Sequence, residues 1–183
     1  MGYGKYIASL PKVAWLKIRY AGKMVIPWKQ RIGSNFSVSI MRKGKIRFNG
    51  VLHCRKNCCL ISDGGNLSLG NGVFMNQNSM ITCVDEISIG NNVKIGNNAV
   101  IVDHDHNYRE AAGSDYLKSS ISIGQNTWIG ANAIILRGAH IGEACVVAAG
   151  TVVRAGEYPD HSLIYNKREL VVTDYDKIKP ERE

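Results

Sequence analysis

The sequence predicts an all-β solenoid, a chain wound into stacked coils of short parallel strands, and three observations predict it. From Ile123 a β-branched aliphatic residue recurs at every sixth position: Ile129, Ile135, Ile141, Val147 and Val153. Four residues after these anchors comes a small residue, in turn Thr127, Ala133, Ala139, Cys145 and Thr151. Gly and Asn recur beside the anchors, and both tolerate the positive φ of a tight corner. A period of six is neither the 3.6 of a helix nor the 2 of an isolated strand, but it suits a step of one short strand plus one corner. The same beat runs upstream through Ile89, Ile95 and Ile101, and before that through Leu69, Met75, Ile81 and Ile87.

This repeat resembles that of the hexapeptide acyltransferases. The resemblance covers residues 30 to about 170 and implies a left-handed parallel β-helix of triangular section, with three hexads per coil. The left hand comes from the resemblance alone, since parallel crossovers are ordinarily right-handed. The expected organisation is a basic helical extension over 1–29, a β-helix over 30–160 with a loop extruded at 103–120, and a tail over 161–183.

Charge is distributed unevenly. The chain of 183 residues carries a net charge of +8, yet its first 62 residues hold 13 Lys and Arg and no acid. The rest holds 10 basic and 15 acidic side chains, so the whole excess of positive charge lies in the front third. Such a segment is either a solubilising face or attracted to an anionic surface, a membrane or an acidic polysaccharide. No nucleic-acid motif accompanies it. The N-terminus has no secretory leader pattern, and no apolar run approaches the roughly 20 residues of a membrane span. The expectation is a cytoplasmic protein, with peripheral contact at the inner face of a membrane as the further possibility. Five cysteines in that setting are expected as free thiols.

The elements follow in order. Over residues 5–21, Ile7, Leu10, Ala14, Ile18 and Ala21 fall at helical spacing among Lys12, Lys17 and Arg19. That stripe is expected to cap the open end of the solenoid, or to lie in a membrane interface. From Gln30 to Ser62 the beat is irregular, and Val38, Ile40, Ile46, Phe48 and Val51 predict one or two imperfect coils. The cluster His53, Cys54, Cys58 and Cys59 offers metal-binding side chains in one short segment, but structural zinc draws ligand pairs from two segments, so no metal is expected.

The segment Leu69–Gly90 resembles the matching stretch of galactoside and maltose acetyltransferases, and Asn76 takes the position that contacts the sugar acceptor there. The plain alternative is a polar corner. The beat then breaks after Ile101 and resumes at Ile123, which extrudes about sixteen residues. The loop opens Asp103-His104-Asp105-His106, and an insertion leaving a rigid wall with His and carboxylates at its root is the place to look for chemistry. By the resemblance His104 is the general base of a sugar O-acetyltransferase. Imidazole suits removal of a hydroxyl proton at neutral pH, and a carboxylate on its other nitrogen would hold its tautomer. Asp103 and Asp105 are both candidates for that role, and His106 for a supporting one.

Trp128, at an outward position, takes the place that lines the pantetheine channel for acetyl-CoA in the resembling enzymes. Ala131 and Ala149 take the places whose backbone binds the arm. Arg154, Lys167 and Arg168 are candidates for the coenzyme phosphates, although Tyr165-Asn166-Lys167-Arg168-Glu169 departs from the family's Gly- and Pro-containing segment. The resemblance implies acetyl transfer from acetyl-CoA to a sugar hydroxyl in polysaccharide assembly, a carbohydrate acceptor and a homotrimer. The alternatives are N-acylation of an amino sugar and a non-catalytic binding β-helix. A zinc-dependent carbonic anhydrase does not fit, because His104, His106 and His140 lack the required spacing.

Overall fold

The computed structural model describes residues 4–107 and 116–167. Three parallel sheets form the walls of a solenoid. The first wall stacks seven strands, from Met24–Val25 to Gly156–Tyr158. The second stacks six, from His53–Cys54 to Leu163–Ile164, and the third six, from Ser37–Met41 to Val152–Val153. The expected solenoid is therefore present, and its walls reach beyond 30–160 at both ends. Met24 pairs with Ile46 on one side and Val147 with Ile164 on the other.

Inward residues explain the period. Ile123, Ile129, Ile135, Ile141, Val147 and Val153 are all buried, and so are Thr127, Ala133, Ala139, Cys145 and Thr151. A larger side chain in those small positions would overfill a close-packed interior. Cutting one anchor, such as Ile129, to Ala is expected to cost about 2–5 kcal/mol. Downstream of the loop the coil is eighteen residues, as Trp128 pairs with Val146. Upstream it is longer: Phe74 pairs with Lys94, twenty on, and Ser37 with Cys59, twenty-two on. The extra residues sit at the corner from the third wall to the first, where Gly64 adopts φ +87°. This is why the beat between Gln30 and Ser62 looks irregular although the coils are complete. It also gives the first wall two inward residues per strand, such as Ile87 and Ile89.

Asparagine builds one corner as a ladder. Asn35, Asn57, Asn78, Asn98 and Asn132 all have positive φ. Each side-chain amide donates to the carbonyl oxygen of the next, at 3.0–3.1 Å. A residue that tolerates the left-handed region and carries both a donor and an acceptor satisfies both demands of that corner.

The N-terminal helix, Leu10–Arg19, does cap the solenoid, but not with the predicted stripe. Ser9, Val13, Leu16 and Tyr20 are its buried face. The Tyr20 hydroxyl donates to the Val38 carbonyl at 2.8 Å, and Ser9 Oγ accepts from the Ile32 N–H at 2.9 Å. Ile7, Leu10 and Ile18 face outward, Ile18 with 80% of its surface exposed. The helix carries two apolar faces roughly 130° apart at 3.6 residues per turn, and the one anchored by polar contacts at both ends meets the core. Gln30 is fully buried beneath it, and its side chain bonds the backbone of Pro27, Gly50 and Leu52. It stands in for ladder partners that the first coil lacks.

Candidate functional site

The loop leaves the third wall after Val100–Val102 and the chain returns at Ile121–Ile123. Its described part is a two-stranded antiparallel ribbon, in which His104 faces Lys118 and His106 faces Tyr116. The wall continues beneath it: Val100 pairs with Ile134 as directly as it pairs with Met80. Loop residues 108–115 lie outside the described residues, and so does Arg168.

At the root of the ribbon sits Asp103, buried completely. Its Oδ1 accepts the Val84 N–H and its Oδ2 the Asp85 N–H, both at 2.8 Å. Burial pushes the Cys83 thiol far above its usual range, the Asp103 carboxylate beside it adds to that, and the thiol hydrogen-bonds the same carboxylate. With this anchorage Asp103 Oδ1 lies 3.1 Å from His104 Nδ1. Of the two candidate orienters, Asp103 makes the contact. Asp105 turns away and pairs with Arg137 at 2.6 Å.

The His104 ring is further confined by Tyr116, edge to face at 4.7 Å between centroids, and the His106 ring packs on Tyr116 at 5.1 Å, tilted by 55°. Only 12% of the His104 side chain is exposed. A carboxylate at Nδ1 keeps the proton on that nitrogen and leaves Nε2 with its lone pair, the form of imidazole that accepts a proton. Two residues of this site were not singled out in the sequence. Tyr116 carries a weak signal, an aromatic residue near the return of the loop. Arg137 carries one only when the coil register is known, because it is 32 positions from Asp105.

The other predicted residues lie elsewhere on the prism. Trp128 stands on the second wall, 55% exposed, in line with Lys94 below and Val146 above. Asn76, Ala131 and Ala149 occupy the corner between the second and third walls. Asn76 is half-buried and its Oδ1 accepts the Gln77 N–H at 3.0 Å. Packing at that corner is tight: a Cβ on Gly96 would come within 2.6 Å of the Ala131 nitrogen, and one on Gly130 within 2.6 Å of the Ala149 nitrogen. Among the described residues no backbone hydrogen bond uses the N–H of Ala131 or Ala149. Arg154 is exposed at the corner between the third and first walls, and Lys167 is exposed beyond the last second-wall strand. The structure thus brings Asp103, His104, His106 and Tyr116 together. It holds Trp128, Ala131, Ala149 and Asn76 apart from them by the breadth of the third wall.

Cys54 and Cys58 point into the core and Cys59 starts the next strand. His53 packs its ring on Phe74. Among the described residues no group of three or more His, Cys, Asp or Glu is placed to hold a metal ion.

Comparison with known proteins agrees with this architecture. Residues 120–155 match the family model for the hexapeptide repeat of succinyl-transferase. A hexapeptide-repeat acetyltransferase from Vibrio cholerae superposes with a TM-score of 0.52 and 24% identity, over 88% of each chain. An N-acyltransferase mutant from Bacillus cereus, solved with dTDP and coenzyme A, superposes with a TM-score of 0.54 and 19% identity, over 72% of this chain and 73% of that one. No curated protein matches the sequence. The chain is a hexapeptide-repeat β-solenoid, with the fold of the acyltransferases that it was expected to resemble.

Proposed function

We propose that the protein transfers an acetyl group from acetyl-CoA to a sugar hydroxyl, in the assembly of a surface polysaccharide. The observation that carries this reading is the buried Asp103 holding His104 Nδ1 at the root of the ribbon. Its chemistry is general base catalysis. A sugar hydroxyl is a poor nucleophile until its proton is removed as the new bond forms. In the proposed step His104 Nε2 takes that proton while the hydroxyl oxygen bonds to the thioester carbonyl carbon. When the tetrahedral centre collapses, the carbon–sulfur bond breaks and the sulfur leaves with the proton returned by the imidazolium. The products are the O-acetyl sugar and free coenzyme A thiol. Asp103 stabilises the imidazolium throughout and fixes its ring.

Trp128, with the N–H groups of Ala131 and Ala149, would hold the pantetheine arm. Arg154 and Lys167 are charged groups suited to its phosphates, and Arg168 joins them by sequence alone. These residues and His104 belong to different corners of one chain, so the reading includes a homotrimer. Apposing the ribbon of one copy to the second wall of the next would complete the site and exclude water from it. Asn76, on the same corner as Ala131, is the residue for the acceptor sugar.

The outward face of the N-terminal helix supports contact with an anionic membrane. Ile7, Leu10, Trp15 and Ile18 are exposed, and Trp28 beside them is too. Lys12 lies 4.9 Å from the Trp15 ring and Lys17 5.0 Å from the Trp28 ring. An apolar stripe bordered by lysines, in a segment without acids, has the make-up of an interfacial helix. Among the described residues no helix is long and apolar enough to cross a membrane.

The test is release of coenzyme A thiol from acetyl-CoA against a panel of sugars, amino sugars and lipid-linked glycans. His104→Ala should lower turnover by about two orders of magnitude or more while the protein stays folded. Near-normal turnover in that variant would remove His104 as the base, and acceptance of amino sugars alone would make the reaction an N-acylation.

A further inference from the structure

Between the start of the N-terminal helix and the first coils runs a cleft of about 450 Å³, lined by Ala8, Arg31, His53, Arg55, Lys56 and Gln77 among others. None of Arg31, Arg55 and Lys56 has a carboxylate partner among the described residues, whose Lys and Arg ion pairs are Arg42–Asp63, Lys118–Asp85 and Arg137–Asp105. Arg31 is the most constrained of the three. Its guanidinium lies 4.4 Å from the centroid of Tyr6, and its Nε is buried with no hydrogen-bond partner. That Nε is enclosed by the protein, so a ligand in the cleft would meet the terminal N–H groups of the guanidinium instead. Residues 1–62 contain no acid, so the segment that supplies all three cations brings no compensating charge of its own.

We propose that this cleft binds a phosphoryl group, and that the acceptor of the transferase is accordingly a phosphorylated or diphosphate-linked sugar. Two guanidinium groups and an ammonium around one cleft match an oxyanion of charge two or more better than a single carboxylate. The planar arginine fork also fits phosphoryl oxygens in pairs. Its position suits an acceptor. Arg31 bridges His53, and the outward column then runs through Phe74 and Lys94 to Trp128 on the same wall. Gln77 lies in the cleft lining, and its neighbour Asn76 turns the corner beside it. A sugar anchored by its phosphate here would extend along the face that carries Trp128.

The second half of the proposal rests on acyl transfer; the first does not, and the experiment separates them. Titration calorimetry of the full chain with inorganic pyrophosphate, at low salt and without acetyl-CoA, should give a Kd below about 1 mM. Arg31→Gln and, separately, the exposed pair Arg55→Gln/Lys56→Gln should each weaken it by roughly tenfold or more, as loss of charged hydrogen bonds predicts, with unchanged thermal midpoints. No binding up to about 10 mM, or equal binding by wild type and both variants, overturns the site. Glucuronate binding as tightly as pyrophosphate overturns the phosphoryl assignment in favour of a carboxylate. Two arms identify the source. A rise in KM for a sugar phosphate with unchanged kcat in the variants supports the acceptor. Loss of binding to phosphatidylglycerol vesicles, with KM unmoved, makes the ligand a lipid headgroup and overturns the acceptor.

Discussion

Replacing Asp103 by Asn tests the geometry of the site most severely, because it changes charge and donor pattern while keeping shape. The carboxylate accepts at both oxygens, from the Val84 and Asp85 N–H groups, and also holds His104 Nδ1. An amide has only one acceptor oxygen, so either orientation turns its NH2 toward a backbone N–H in a fully buried place. One unmade buried bond costs about 1–3 kcal/mol. In a chain of this size that lowers the thermal midpoint by about 2–12 °C, at about 2–4 °C per kcal/mol. With the amide nitrogen facing Val84 and His104, the imidazole must accept at Nδ1 and carry its proton on Nε2, where it can no longer act as a base. With the other orientation the tautomer survives, but the imidazolium loses its counter-charge. Turnover by thiol release should therefore fall by about one to two orders of magnitude, bounded by the loss in His104→Ala. Wild-type turnover together with a lowered midpoint would refute the reasoning and leave Asp103 as a staple between coils.

Further expectations concern other parts of the prism. Trp128→Ala should weaken acetyl-CoA binding, read by calorimetry, while leaving the thermal midpoint within a degree or so, since an exposed side chain contributes little to folding. The reverse pattern would make Trp128 a packing residue. Light scattering at micromolar concentration should give the mass of three chains, and an active monomer would contradict the shared site. Ile18→Glu should abolish co-sedimentation with anionic vesicles and leave stability unchanged, whereas Leu16→Ala on the buried face should cost about 2–5 kcal/mol by chemical denaturation. Vesicle binding should also fade between about 0.1 and 1 M salt, as the screening length drops from about 10 to about 3 Å.

Much of the fold was legible because the solenoid writes its period directly into the chain. Ile123 to Val153 could be read as inward positions without any knowledge of neighbours, and all are buried. The early coils were less legible, because extra residues at one corner, around Gly64 and Gly65, shift the beat without breaking the walls. The helix was misjudged for a different reason. Val13, Leu16 and Tyr20 form as good a stripe as Leu10, Ala14 and Ile18, and only contacts across the chain, such as Tyr20 with Val38, decide between them. At the candidate site the break in the beat located the loop. The sequence could not choose between Asp103 and Asp105, because that choice is made by partners far along the chain: Val84 and Asp85 for one, Arg137 for the other.

The insertion that carries His104 leaves no mark on the wall beneath it. Lys94 pairs with Trp128 across thirty-four positions in the same parallel register that joins Trp128 to Val146 across eighteen. The scaffold closes the gap as if the additional sixteen residues were absent. A segment held this way behaves as a cassette: the coils on either side keep a common register, and Asp103 and the return at Ile121 are its two fixed ends.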